Sequence, residues 1–118
     1  MSLFAFIMYG RYHGKGIKYS RNNELEKALN SYLKALKYAK KTKNEGLIAL
    51  ELECVALIYH KRHDDKSAKQ YAEMGLKINQ EFIDDDISFK NGAYRLKKLL
   101  SQIDQKRSDT ADQSSSQP

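Results

Sequence analysis

The chain has 118 residues, 41% of them hydrophobic and 31% charged, which fits one small globular domain and excludes a disordered polymer or a membrane-embedded protein. One proline and six glycines provide too few turns for a sandwich or barrel, whose strands need a turn signal every ~8–12 residues. Twenty-one Lys and Arg against 15 Asp and Glu give a net charge of +6, a balance that suits nucleic acid or an anionic surface, while the single cysteine, Cys54, excludes an intrachain disulfide and points to a cytoplasmic setting.

Residues 3–8, Leu3 to Met8, form an apolar run shorter than the ~7–15 residues of a signal-peptide core and far below the ~20 of a membrane span. It reads as the first turns of a helix whose apolar residues pack inside the protein or on a partner. Further along, polar breaks at Asn22-Asn23, Thr42-Lys43-Asn44, His63-Asp64-Asp65 and residues 83–86 separate stretches of helical periodicity. Asn and Asp accept hydrogen bonds from the free N–H groups of a starting helix, so each break is expected to cap the next helix. Five helices follow.

The second helix carries Leu25, Ala28, Leu29, Tyr32, Ala35, Leu36 and Ala39 on one face and Lys27, Lys34, Lys37 and Lys41 elsewhere. The third places Leu52, Val55, Ala56 and Tyr59 on one face, and the fourth Ala68, Tyr71, Ala72, Gly75 and Leu76. The last, over 87–105, places Phe89, Ala93, Leu96, Leu100 and Ile103 on one face. Residues at three- and four-residue intervals share a helix face, and small residues among the large ones predict closely approaching axes. Residues 107–118 are nearly devoid of apolar groups and are expected to be a disordered tail.

The chain repeats itself. Tyr19, Ala28 and Leu36 recur as Tyr59, Ala68 and Leu76, each shifted by 40, and the small residues Gly16 and Ala35 recur as Ala56 and Gly75. Two antiparallel helices need small side chains at their crossing and large ones beside it, so each unit is a helical hairpin.

At this point the chain resembles the tetratricopeptide repeat (TPR) family. Tyr12, Gly16, Tyr19, Ala28, Tyr32 and Ala35 stand where that family has Trp, Gly, Tyr, Ala, Phe and Ala; Lys15 and Lys40 depart from its usual leucine and proline. A looser second unit has Leu52, Val55, Ala56, Tyr59, Ala68, Ala72 and Gly75 in the corresponding places, with Ala72 replacing an aromatic beside Tyr71. A third unit fails because Arg95 occupies the tyrosine position. The resemblance implies an all-α domain over 1–106, with antiparallel hairpins stacked as a short right-handed superhelix, units at about 9–44 and 45–82, and a closing helix over 87–105. With only two units, Phe4, Ile7 and Met8 are expected to close the first end or to form a homodimer seam.

The resemblance further implies a concave groove that holds a partner peptide or helix. Its lining would be His13, Ile17, Ser20 and Arg21 from the first unit and Glu53, Leu57, His60 and Lys61 from the second. The family's clamp for a C-terminal carboxylate is disfavoured, because His13, Ile17 and Cys54 stand where its Lys and Asn residues would be.

Other chemistry finds little support. His60 and His63 beside Asp64 and Asp65 read as a turn and a cap, with no metal, and Asp84, Asp85 and Asp86 as capping carboxylates. Gly14 and Gly16 follow no strand and make no phosphate loop, and Cys54 has no histidine in a clear sequence relation to it. No enzyme activity and no cofactor are expected. The basic excess lies in the first 43 residues, which hold ten Lys and Arg against two acids. On the second helix it forms a patch of Lys27, Lys34, Lys37 and Lys41, the basis of an alternative reading as a nucleic-acid or anionic-surface binder. A self-assembling subunit is the other alternative to a protein-interaction module.

Overall fold

The computed structural model describes residues 2–106 in full and the backbone alone of 107–115; the tail expected over 107–118 lies outside the fully described residues. Five helices follow one another: α1 (Leu3–Arg21), α2 (Leu25–Thr42), α3 (Glu45–Lys61), α4 (Asp65–Glu81) and α5 (Ile87–Ser115). No strand occurs among the described residues. None of the helices among them is long and apolar enough to cross a membrane.

The 40-residue repeat reappears in the backbone. At the end of α1, Asn23 N–H donates to the Ser20 carbonyl and Glu24 N–H to that of Tyr19; at the end of α3, His63 N–H donates to His60 and Asp64 N–H to Tyr59. Both ends are Schellman closures, which need a left-handed residue after the helix. Asn23 and His63 supply it at φ 59° and 63°, and Lys43 ends α2 likewise at φ 58°.

Three breaks cap as expected. The side chains of Asn44, Asp64 and Asp86 accept from the N–H groups of Leu47, Ser67 and Ser88. The first break does not. Asn22 and Asn23 are consumed in closing α1, and Glu24, at the N-cap of α2, makes no side-chain cap. A residue held in the left-handed turn cannot also take the extended backbone that an N-cap needs.

Small residues sit where the helices cross. Ala28, Ala35, Ala39, Ala56, Ala68 and Ala72 are fully buried. One cluster joins Ala28, Leu29 and Tyr32 of α2 to Val55 and Ile58 of α3, and a second joins Ala56, Ala68 and Ala72 to Leu96, Leu99 and Ile103 of α5. Tyr59 and Tyr71, their rings stacked at 5.5 Å, pack against both clusters. Truncating a buried leucine or isoleucine such as Leu96 or Ile103 removes about 2–5 kcal/mol, so α5 is an integral cover for the second hairpin. Its buried stripe includes Leu99, while the expected Leu100 is half-buried.

The first end is not closed. Ala5 is buried, but Leu3, Phe4 and Ile7 are 75%, 62% and 59% exposed. Phe4 meets the Tyr38 ring of α2 edge-on at 6.1 Å.

Candidate partner-binding groove

Each hairpin pairs consecutive helices, and α3 also packs directly on α5. The layer that holds α3 therefore includes α5. Its surface at α3 and α5 is where the structure brings groove residues together.

Glu53 of α3 is buried at 8% exposure and is held by Arg95 of α5. Arg95 Nε donates to Oε2 at 2.7 Å and Nη2 to Oε1 at 2.9 Å. This forked geometry matches the two carboxylate oxygens and fixes the α3–α5 register. The hydrogen bonds to the Glu53 carboxylate raise the Arg95 guanidinium above its usual range. One turn along α3, Leu57 remains 39% exposed. It borders a recess of about 210 Å³ with Leu96, Leu99, Arg95, Lys98 and Gln102. A second recess, about 290 Å³, lies on the other side of the ion pair, floored by Leu47, Leu50 and Phe89 and edged by Asn44, Ser88 and Asn79. The Glu53–Arg95 pair is the wall they share.

The other expected groove residues have different surroundings. His13 is drawn inward, its Nδ1 lying 3.0 Å and 2.9 Å from the two oxygens of Glu51 on α3. Its ring stacks on Tyr9 at 5.6 Å and 19° and lies 5.9 Å from Tyr32. Burial pushes the Tyr32 hydroxyl up to about 12. Ile17 packs against the cluster around Ala28 and Val55, so it serves the core. Ser20 is half-buried, and its carbonyl closes the turn. His60 is half-buried with Nδ1 3.2 Å from Asp65, which ties α3 to α4. Only Arg21 and Lys61 are fully open to solvent.

Arg95, Lys98 and Gln102 complete the groove, and sequence reasoning missed them. The signal was present, since these residues recur at three- and four-residue spacing beside the Leu96–Leu99 stripe. Arg95 counted only as a failed tyrosine position.

Cys54 faces the interior, where burial and the carboxylates of Glu51 and Glu53 push its thiol far up. A protonated, shielded thiol is a poor nucleophile. On α2, Lys34 lies over the Tyr12 ring at 5.3 Å, Lys41 over Tyr38 at 5.3 Å and Lys27 over Tyr19 at 5.8 Å. Tyr12 and Tyr38 stack on each other at 5.9 Å. Half-buried aromatics therefore stand among the lysines. Their faces are already occupied by each other and by the ammonium groups. Lys37 of the same patch is exposed.

Compared with family models, with curated proteins and with solved structures, the chain shows no significant match.

Proposed function

We propose that this protein is a non-enzymatic interaction module of the tetratricopeptide type, an adaptor or scaffold that seats a segment of another protein on the α3–α5 groove. The observation that carries this reading is the half-open Leu57 beside a recess floored by Leu96 and Leu99 and rimmed by Arg95, Lys98 and Gln102. An apolar slot with a polar rim suits one anchoring side chain of an extended peptide or helix, with the rim setting orientation. Lys98 and the nearby Lys61 favour acidic residues beside that anchor. The lone, half-buried cysteine supports a reducing, cytoplasmic setting.

A random peptide library panned on the chain tests the reading. The selected peptides are expected to share one apolar anchor flanked by acidic residues. Leu57→Arg removes apolar contact and places a third cation beside Arg95 and Lys98. A central hot-spot residue is worth about 2 kcal/mol or more, so affinity should fall about 30-fold or more, with the helical circular dichroism spectrum unchanged. Peptides that bind Leu57→Arg equally well refute the groove.

A second reading rests on Leu3, Phe4 and Ile7. Three large apolar residues exposed within the first two turns of one helix suit self-association through the first end. Sedimentation of the chain and of Phe4→Glu/Ile7→Glu distinguishes the two: a dimer lost in the variant supports this seam, and a monomer at every concentration removes it.

A further inference from the structure

His13 of α1 and Glu51 and Cys54 of α3 bring an imidazole nitrogen, a carboxylate oxygen and a thiol sulfur within 4.8 Å of one another. Glu51 and Cys54 are three residues apart on α3 and so share a face, which α1 covers with His13. Bonds of about 2.0–2.3 Å in a tetrahedral shell place ligand atoms roughly 3.3–3.8 Å apart. The His13–Glu51 separation of 2.9 Å to 3.0 Å is already close to that, and the group as a whole needs to tighten by about 1–1.5 Å, within the reach of side-chain torsions.

The second observation is independent of this spacing. Glu51 is completely buried, and its Oε2 accepts no hydrogen bond. His13 Nδ1 sits near both oxygens but carries at most one proton, and its hydrogen-bonding direction serves Oε1. A carboxylate oxygen stripped of water and left without a donor is costly, and buried polar groups without partners call for an account. A cation bridging His13 and Glu51 supplies one.

We propose that His13 Nδ1, Glu51 and the Cys54 thiolate bind Zn2+, pinning the first hairpin to the second. Nitrogen, oxygen and sulfur donors together select zinc over Mg2+ and Ca2+, which take oxygen shells. Three protein ligands leave a fourth position for water. Tyr9 and Tyr32 flank the imidazole and hold its orientation, as groups around metal-bound histidines do. The His13 side chain is 23% exposed, which gives the ion a way in; the Cys54 proton leaves to water as the metal enters. The site does not depend on the groove, so Leu57→Arg is expected to leave it intact.

The untagged, reduced, chelator-treated full chain is titrated with Co2+ as the optical probe. One equivalent is expected to produce a near-ultraviolet thiolate-to-cobalt band and visible bands of tetrahedral intensity, both bleached by Zn2+. Cys54→Ser should abolish the near-ultraviolet band, and His13→Asn and Glu51→Gln should weaken Co2+ binding at least about tenfold, a loss seen even for outer-shell partners of a metal. Zn2+ should raise the thermal midpoint of the wild-type chain and leave that of Cys54→Ser unchanged; where one variant unfolds, the other two decide. Absence of a charge-transfer band at excess Co2+, or Zn2+ stabilisation equal in all four proteins, overturns the proposal.

Discussion

Three glycines in α1 offer an internal test of the packing, because the same substitution should change sign along one helix. A methyl group built on Gly16 meets Tyr32 ring atoms at 2.6, 2.6 and 2.8 Å, whereas one on Gly10 or Gly14 meets nothing within 4 Å. In an exposed helix interior, alanine is favoured over glycine by about 0.8–1.0 kcal/mol, so Gly10→Ala and Gly14→Ala should each stabilise by that amount. Gly16→Ala gains the same helix preference and loses about 1–3 kcal/mol to overpacking, since Tyr32 lies in a buried cluster beside His13 and has little room to retreat. Gly14→Ala and Gly16→Ala should therefore differ by about 1–3 kcal/mol. With an m-value of about 2 kcal/mol/M this is roughly 0.5–1.5 M in urea midpoint, measured by circular dichroism. In a Tyr32→Leu background the penalty at Gly16 should largely vanish, because contacting sites are not additive. If Gly16→Ala stabilises as much as Gly14→Ala, the close approach of Gly16 to Tyr32 is wrong.

Three further outcomes follow from the same geometry. Arg95→Ala leaves Glu53 buried without its partner and should destabilise by about 1 kcal/mol, at the low end for an unpaired charge because Arg95 is half-exposed, while Arg95→Met/Glu53→Gln should be nearly neutral in urea unfolding. The Asp86 carboxyl lies below the usual carboxylate range because the Ser88 N–H donates to it; its stabilisation is present above the unfolded value of 3.8 and is lost as pH falls through the lower folded value. Acid titration of Asp86→Asn, which caps without titrating, should therefore show a shallower stability loss below that value than the wild-type chain; equal slopes would contradict the cap. With Lys27, Lys34 and Lys41 of α2 engaged on tyrosine rings, gel-shift titrations with single-stranded and duplex nucleic acid at two salt concentrations should show no steep salt-dependent binding; a shift abolished by Lys34→Glu/Lys37→Glu would move the function to α2.

Much of the architecture was legible because it is written in local spacing. The 40-residue offset that relates Tyr19 to Tyr59 also relates the carbonyls that close α1 and α3, and the alanines singled out by period lie at the crossings. The site was less legible because its residues meet across the fold. Glu53 and Arg95 are 42 positions apart, and no periodicity announces a salt bridge at that distance. Glu51 looks like any solvent-facing glutamate until α1 folds over it, and His13 was assigned to the groove for want of knowing that Glu51 lay beneath. The apolar residues 3–8 read equally well as core or seam, since only tertiary contacts decide which side of α1 is covered.

The central claim is that recognition runs through Leu57 and the α3–α5 recess. The most direct measurement is quantitative capture by the immobilised intact chain, compared with Leu57→Arg and, as a charge control on the opposite layer, Lys37→Glu. Partners retained by the wild-type chain and Lys37→Glu but lost from a fully folded Leu57→Arg are the predicted result. The same partners retained equally by all three proteins would contradict it.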